Sequence, residues 1–316
     1  MKILVTGSSG VAGQALKTIA AQFDHEFFFA TSADCDLRDS RATNEFFAHH
    51  RFKGVINFAA VSGGIGLSGS RHASMLRDNA LININVFEAS RLNKVKKVVS
   101  CLTTGMYPPN APLPLNEDNI HDGEPHESNF GSSFGKRIIE PMVRAYRSEY
   151  DLDVVGLIPN GIFGPNDNFH PDHAPMLPAQ MLNFLKARNH SEAVVVWGDG
   201  TALREYTYSF DIARAFVWAL ENYSSPQVLN CGTNEELSIS QIVSLIANEL
   251  GIDQSRIEFD TTKPNGVFKK SVDNNRFVEL SSFTFTPFEI GLRETCQWLQ
   301  ENYSNPSFRQ YGKTKG

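Results

Sequence analysis

The chain has 316 residues, of which 41% are hydrophobic and 20% charged, and its formal net charge is −6 at pH 7. This composition is typical of a globular protein with room for two lobes. The net negative charge argues against a protein that binds nucleic acid or a membrane surface. The sequence has no apolar run that could cross a bilayer, and we expect no secretory leader. The four cysteines lack metal-ligand spacing. We therefore expect a cytoplasmic protein with reduced thiols and no zinc site.

The first thirteen residues, MKILVTGSSGVAG, combine a strand with a glycine-rich turn. Lys2–Val5 is an apolar run typical of a buried parallel strand. Gly7, Gly10 and Gly13 follow with the spacing G-x-x-G-x-x-G, and Gln14–Phe23 has the pattern of an amphipathic helix. Glycines permit a tight turn that brings the backbone close to a pyrophosphate, which the N–H groups at the helix start then bind. The pattern predicts a dinucleotide site.

The next predicted strand, Glu26–Ala30, bears on the choice of cofactor. Thr31–Ser32 lies where this strand ends, the place at which a dinucleotide fold contacts the adenosine ribose. An acid there favours NAD and an arginine favours NADP. The sequence offers hydroxyl groups followed by Asp34 and Asp36, with Arg38 further on. The residues themselves therefore leave NAD and NADP open.

Further strands and helices alternate along the first half of the chain. The predicted strands are Lys53–Ala60, Lys97–Leu102 and Val154–Ile158. The predicted helices are Asn79–Leu92 and Phe130–Tyr150, and Pro141 should kink the second one. This alternation predicts an α/β fold with a doubly wound parallel sheet, a Rossmann domain.

From Asn166 onward the pattern is less regular. The predicted helices are Pro178–Arg188, Asp211–Glu221, Ser238–Leu250 and Glu289–Tyr303, and the predicted strands are Val194–Trp197, Glu205–Ser209 and Val228–Gly232. We expect the last two strands to rejoin the first sheet. Residues 1–165 and 205–233 would then form the dinucleotide-binding domain, and 166–204 and 234–316 a smaller α/β substrate lobe. The polar tail 305–316 is expected to fray.

Seven stretches resemble the extended short-chain dehydrogenase/reductase superfamily of NAD-dependent epimerases and dehydratases, and within it the GDP-L-fucose synthases. They are TGSSGVAG (6–13), VVSCLTTGMYP (98–108), HESNFGSSFGKR (126–137), PNGIFGPNDNFHP (159–171), VVWGDGTALRE (195–205), FDTTKPNGVFKK (259–270) and FTPFEIGLRETCQWLQENY (285–303). The resemblance implies NADP as cofactor, with NAD possible, and a GDP-linked 4-keto-6-deoxy sugar as substrate. It also implies a homodimer built on the helices 79–92 and 134–150.

The resemblance implies a catalytic set of which this chain keeps only part. In the family, a Tyr four positions before a Lys protonates the C4 oxygen of the sugar, a Ser or Thr orients the carbonyl, and a Cys and a His epimerise C3 and C5. Lys136 matches the Lys and Thr103 the orienting hydroxyl, but Ser132 stands where the family has Tyr. Gly105 and Pro175 stand where it has Cys and His. Ser132 and Lys136 lie one turn apart on one helix face, so a shift in alignment does not restore the Tyr.

Further contacts are implied by the same resemblance. Those with the cofactor are Gly7, Gly10, Val11, Gly13, Thr31, Ser32, Asp36, Leu37, Ala59, Ala60, Lys136 and Pro159. Those with the substrate are Gly63, Thr104, Asn160, Trp197, Arg204 and Lys270. Gly161 and Asn183 replace an Asn and an Arg that the family uses on its substrate.

Two functions are compatible with these residues. The intact cofactor motif favours a C4 reductase whose proton comes through water or Thr103, without epimerisation at C3 and C5. The simultaneous loss of Tyr, Cys and His favours a catalytically silent binder that acts as a regulatory or partner subunit. A third option uses His170 or His173 as a replacement general acid. Cys101 and Tyr107 are expected to pack in the core.

Overall fold

The computed structural model describes residues 1–170, 173–188, 191–263 and 267–304, so the tail predicted to fray lies outside it. The strands are β1 (Lys2–Thr6), β2 (Glu26–Phe29), β3 (Gly54–Asn57), β4 (Lys97–Cys101), β5 (Asp153–Pro159), β6 (Gly161–Phe163), β7 (Val194–Trp197), β8 (Leu203–Tyr208), β9 (Leu229–Cys231), β10 (Glu236–Ser238) and β11 (Ile257–Asp260). The helices are α1 (Val11–Ile19), α2 (Ser40–His50), α3 (Ile65–Ser70), α4 (His72–Leu92), α5 (Phe130–Arg137), α6 (Ile139–Tyr150), α7 (Met176–Ala187), α8 (Ser209–Asn222), α9 (Ile239–Leu250), α10 (Asn275–Ser281) and α11 (Phe288–Asn302).

Six parallel strands form the central sheet in the order β2-β1-β3-β4-β5-β9. The predicted doubly wound sheet is confirmed. Since β2 and β3 lie on opposite sides of β1, the winding reverses between β1 and β3. Ligands of open α/β sheets bind at the carboxyl ends of the strands at this reversal.

Side chains that alternate along the strands fill two separate cores. Val5, Ile56 and Val99 pack on one face of the sheet with side chains of α1 and α8. Leu4 and Val98 pack on the opposite face with side chains of α2, α4 and α6. Because both faces of the sheet are covered, the inner strands are mostly apolar, as expected for a parallel sheet.

The remaining strands form a three-stranded sheet, β10-β8-β6, and a two-stranded sheet, β11-β7. These strands share a third hydrophobic core with α7, α9 and α11, and we call this part of the chain the second lobe. The strand predicted at Val228–Gly232 joins the central sheet as β9. The expectation that Glu205–Ser209 also rejoins this sheet is wrong, because β8 pairs with β6 and β10. The reason is that β9 already occupies the edge of β5, with Leu157 opposite Leu229, so β8 extends the second lobe instead.

Several helix boundaries differ from those predicted. Helix α1 begins at Val11 rather than Gln14, because the N–H of Gln14 already donates to the Gly10 carbonyl at 2.8 Å. The helix predicted over 130–150 is two helices that meet at Ile138. Pro141 has no N–H to continue the hydrogen-bond ladder, which explains the break. No helix in the described ranges is long and apolar enough to cross a membrane.

Candidate active site

The glycine turn after β1 has the shape that a pyrophosphate requires. Gly7 has φ +61°, and a Cβ there would lie 2.7 Å from the backbone N of Ala59, at the end of β3. A Cβ on Gly13 would lie 2.5 Å from the Ser8 Cα, so α1 packs directly on the turn. Gly10 precedes α1 and leaves the helix N-terminus uncovered by a side chain. The residues fit a nicotinamide dinucleotide at the reversal between β1 and β3.

The segment after β2 is held by its own hydrogen bonds. The N–H and hydroxyl of Thr31 both donate to Asp34 Oδ2, each at 2.8 Å, while Ser32 is exposed. The Leu37 carbonyl accepts a hydrogen bond at 2.9 Å from Asn85 of α4. These contacts fix the segment against α4 beside the turn.

The side chains of Lys136 and Thr103 both lie near the carboxyl end of β4. The Nζ of Lys136 is buried and donates to the Cys101 carbonyl at 2.6 Å, and this burial lowers the pKa of the ammonium group. Thr103 lies two residues after Cys101, and its Oγ1 accepts from the Gly105 N–H at 3.2 Å. The structure therefore places at the end of β4 both side chains that the resemblance implies to be catalytic.

Gly105 lies in a ring of polar groups. A Cβ on this residue would lie 2.9 Å from Asn129 Nδ2, 3.3 Å from Ser133 Oγ and 3.6 Å from Thr103 Oγ1. Asn129 and Ser133 were missed by the sequence reasoning. Their positions, seven and three residues before Lys136, give the helical spacing that could have identified them. At Gly105, where the resemblance implies a Cys, this chain therefore has no thiol, and the neighbouring side chains are neutral hydrogen-bonding groups.

The helix that carries Ser132 and Lys136 is positioned by two glycines. A Cβ on Gly131 would lie 2.3 Å from the His72 carbonyl oxygen, and one on Gly135 would lie 2.9 Å from the Asn79 Cβ. These close approaches let α5 lie directly on α4. Asn79 in turn exchanges hydrogen bonds with the backbone of Val61, at 2.8 and 3.0 Å, in the loop that follows β3. Helix α4 thus links α5 to the loop that carries Gly63.

Neither Tyr107 nor Cys101 replaces the missing proton-transfer groups. The Tyr107 hydroxyl is buried and donates to Asn230 Oδ1 at 2.8 Å, and burial raises the pKa of this phenol. Burial also raises the pKa of the Cys101 thiol, so it stays protonated. Both residues pack in the core, as predicted.

The loop that carries the two candidate histidines borders the site. The rings of His170 and His173 stack with their centroids 4.6 Å apart. The His173 carbonyl accepts from the Gly64 N–H at 2.9 Å, which connects this loop to the one after β3. Pro175 directly precedes α7 and brings no ionisable group.

Three of the residues expected to contact the sugar nucleotide, Trp197, Arg204 and Lys270, lie on the second lobe. Trp197 is 66% exposed, with Lys263 Nζ 5.6 Å from the centroid of its ring. Arg204 Nη1 donates to the carbonyls of Leu203 and Val267, at 2.6 and 2.8 Å. Lys270 is exposed, and its pKa is lowered by partial desolvation first and by the charge of Arg204 second. An exposed indole can cover a base or ribose and cationic side chains can neutralise phosphate, which are the groups that a nucleoside diphosphate requires.

The side chain of Asn160 takes part in a buried hydrogen-bond network that the sequence did not reveal. Its Nδ2 donates to Glu205 Oε2 at 3.2 Å and to the Thr233 carbonyl at 2.9 Å, and its Oδ1 accepts from Thr207. Glu205 Oε2 also accepts from the Val272 N–H at 3.1 Å. These buried hydrogen bonds join the end of β5 to β8 and to the segment after β9, so they connect the two lobes. The implied substrate contact of Asn160 stays a prediction.

Glu205 should make the folded protein less stable as the pH rises. Burial raises the pKa of its carboxyl to about 7 from an ordinary 4.5. Between these values the folded protein holds a proton that the unfolded chain has lost, so the free energy of unfolding falls with rising pH. We expect Glu205→Gln to remove about 2 kcal/mol of this fall between pH 5 and pH 8, measured by urea unfolding. Parallel curves for the two proteins would contradict the assignment.

Comparison with known proteins gives the family. Residues 3–232 match the NAD dependent epimerase/dehydratase family, to which the chain belongs. GDP-L-fucose synthase of Dictyostelium discoideum is 34% identical over 307 residues, covering 95% of this chain and 96% of the relative. The crystal structure of a GDP-L-fucose synthetase from Naegleria fowleri has a TM-score of 0.90 at 34% identity, covering 96% of this chain and 94% of that chain. A structure of the Naegleria fowleri protein bound to NADP has a TM-score of 0.89 at 33% identity, covering 96% of this chain and 95% of that one. The resemblance found in the sequence is confirmed.

Proposed function

We propose that this protein is an NAD(P)-dependent C4 reductase of a GDP-linked 4-keto-6-deoxy sugar that leaves C3 and C5 unchanged. The observation that carries the proposal is the juxtaposition of Lys136 and Thr103 at the end of β4, beside neutral groups around Gly105. Reduction needs an oriented carbonyl, whereas epimerisation needs a base and an acid next to C3 and C5. Thr103 supplies the first, whereas positions 105 and 175, at which the resemblance implies the base and the acid, carry no ionisable side chain.

Each retained residue has a defined part in such a reduction. The nicotinamide, when bound, supplies the hydride. The Thr103 hydroxyl donates to the C4 carbonyl and fixes its direction. Lys136 binds the nicotinamide ribose, and its positive charge stabilises negative charge that develops on the C4 oxygen. The proton comes from water, either directly or relayed through Thr103, whose hydroxyl takes up a proton from water as it gives one to the C4 oxygen. Neither Ser132 nor Thr103 is itself the acid, because an aliphatic hydroxyl is a much weaker acid than a phenol.

A single-turnover experiment tests this function. The protein is mixed with NADPH or NADH and GDP-4-keto-6-deoxymannose, absorbance of the nicotinamide is followed, and the product sugar is resolved. Oxidation of the cofactor with C4 reduction, and with C3 and C5 unchanged, is the expected result. Inversion at C3 or C5 would contradict the absence of an epimerisation base, and His173→Ala would then test the replacement acid.

A catalytically silent binder is the second candidate. It is supported by the absence of an ionisable side chain at positions 105, 132 and 175, together with the burial of Tyr107 and Cys101. Binding of cofactor and GDP-sugar by calorimetry without cofactor oxidation would establish this candidate for the sugar tested and overturn the reductase.

We propose further that the protein is a homodimer through the outer surfaces of α4 and α6. Ile84 and Leu92 of α4 are 42% and 49% exposed, and Tyr150 of α6 is 43% exposed. Ile84→Asp should convert the dimer to a monomer in light scattering, because a buried unpaired charge costs several kcal/mol. Val195→Asp, which changes an exposed residue of β7, is the control. A wild-type monomer would overturn this proposal.

A further inference from the structure

Residues 267–273 connect the second lobe to the core beside the central sheet, and we call them the linking segment. Near its start, the Phe268 carbonyl accepts from the N–H of Leu203 in β8 at 2.7 Å. Near its end, the backbone on both sides of Val272 hydrogen-bonds to the backbone of Leu115, at 2.8 and 2.9 Å. Leu115 packs in the core on one face of the central sheet. The linking segment is therefore attached to both parts of the chain.

Glu205 of β8 holds the linking segment at a third point. Its Oε2 accepts from the Val272 N–H at 3.1 Å and from Asn160 Nδ2 at 3.2 Å. Asn160 directly follows β5 of the central sheet, and Glu205 is only 7% exposed. Removing a buried acceptor leaves its donors unsatisfied, which is costly. One carboxylate oxygen thus ties the linking segment to β8 and to the central sheet.

The linking segment presents an aromatic ring and a cation to solvent. Phe268 is 60% exposed, and Lys270 is exposed as well. Lys269, between them, pairs instead with Glu236 of β10 at 2.8 Å. Lys270 lies only two residues before Val272, so a displacement of the backbone at Val272 would also displace the Lys270 ammonium group.

We propose that Glu205 is a positioning residue for the nucleotide of the substrate: by holding Val272, it sets the place from which Lys270 neutralises the diphosphate. Glu205 acts only through the linking segment. The inference rests on the proposed function, because it takes the GDP-sugar as the ligand of the second lobe. The reduction itself occurs at Thr103 and Lys136. Affinity for the nucleotide should therefore depend on Glu205, and the rate of hydride transfer should not.

Calorimetry with GDP and the full chain tests the inference. Glu205→Leu removes both hydrogen bonds and should weaken GDP binding about tenfold, as expected when one charged contact is misplaced. Glu205→Gln keeps an oxygen that can accept from Val272 and Asn160, so it should bind GDP as the wild-type protein does. Because burial raises the pKa of Glu205 to about 7, Gln also reproduces the neutral form that is present near pH 7.

Single-turnover kinetics separate positioning from catalysis. Glu205→Leu should raise the concentration of GDP-4-keto-6-deoxymannose that gives half the maximal rate by about the same factor of ten. The maximal rate of NADPH oxidation should stay that of the wild-type protein. An equal fall in the maximal rate would overturn the inference, because Glu205 would then act on the reacting groups.

Two further measurements distinguish lost positioning from a general folding defect. Hydrogen exchange of the Val272 amide, followed by NMR, should be at least about tenfold faster in Glu205→Leu than in Glu205→Gln, because the N–H has lost its acceptor. Asp211→Leu is the matched control, since Asp211 of α8 is also buried and accepts a backbone N–H, from Thr286 at 2.7 Å. It should lower the stability without changing GDP affinity.

The outcomes separate this inference from the proposed function. Equal GDP affinity in the wild-type protein and Glu205→Leu would overturn the inference and leave the reductase standing. The same would follow if Glu205→Gln or Asp211→Leu lost as much affinity as Glu205→Leu, because the hydrogen bond to Val272 would then not be the cause. A wild-type protein that binds no GDP would overturn both proposals.

Discussion

Ser132→Tyr should raise the rate of C4 reduction by about 10²–10⁴-fold, the usual contribution of a positioned general acid. The phenol would lie one helical turn before Lys136, whose ammonium group is buried at the end of β4. A nearby positive charge lowers the pKa of a phenol from about 10, which makes it a better proton donor near neutral pH. The measurement is the single-turnover rate of NADPH or NADH oxidation with the 4-keto sugar.

Ser132→Phe is the control for this variant, because it adds the same ring without the hydroxyl. It should leave the rate near or below that of the wild-type protein, since the ring excludes water without donating a proton. If both variants accelerated the reaction equally, the gain would come from the shape of the site and not from acid catalysis. If neither did, proton transfer would not limit the reaction, and the loss of Tyr would need another explanation.

The central sheet could be predicted from the sequence because its strands are apolar runs separated by helical patterns. Helix α2 was missed for the opposite reason. Among its eleven residues only Thr43 and Phe47 are buried, so its amphipathic pattern is weak. The predicted pairing of β8 was also wrong. The sequence does not show which strand edge remains open once β9 lies beside β5. Local sequence propensity identifies helices and strands, but competition between open strand edges decides which strands pair.

The sequence predicted some residues of the candidate site but not all of those that line it. The convergence of Thr103 and Lys136 followed from the family motifs, and the structure places them at the end of one strand. Asn129 and Ser133 surround Gly105 through tertiary packing, which no single motif specifies. Asn160 illustrates the converse. The family resemblance implies that it contacts substrate, yet its side chain is hydrogen-bonded within the protein, to β8 and to Thr233.

Gly7→Ala should cost about 3 kcal/mol of unfolding free energy, and more than Gly251→Ala. Both glycines have positive φ, +61° and +68°. At Gly251 nothing lies within 4 Å of an added Cβ, so only the backbone cost of about 1 kcal/mol applies. At Gly7 the Cβ would lie 2.7 Å from backbone atoms of Phe58 and Ala59. These atoms directly follow β3, whose four residues are buried, so they cannot move far without moving the sheet.

The same pair of variants tests the cofactor site. Displacing the turn at Gly7 pulls the backbone N–H groups away from the pyrophosphate position, so affinity for NADH and NADPH should fall at least about tenfold through lost hydrogen bonds. Gly251→Ala should leave both affinities unchanged, because Gly251 ends α9 in the second lobe. Urea unfolding gives the stability difference and calorimetry the affinities. Equal losses of stability in Gly7→Ala and Gly251→Ala would show that the turn after β1 accommodates a Cβ, contrary to the close contacts at Gly7. A destabilised Gly7→Ala with full affinity would place the dinucleotide elsewhere than the reversal between β1 and β3.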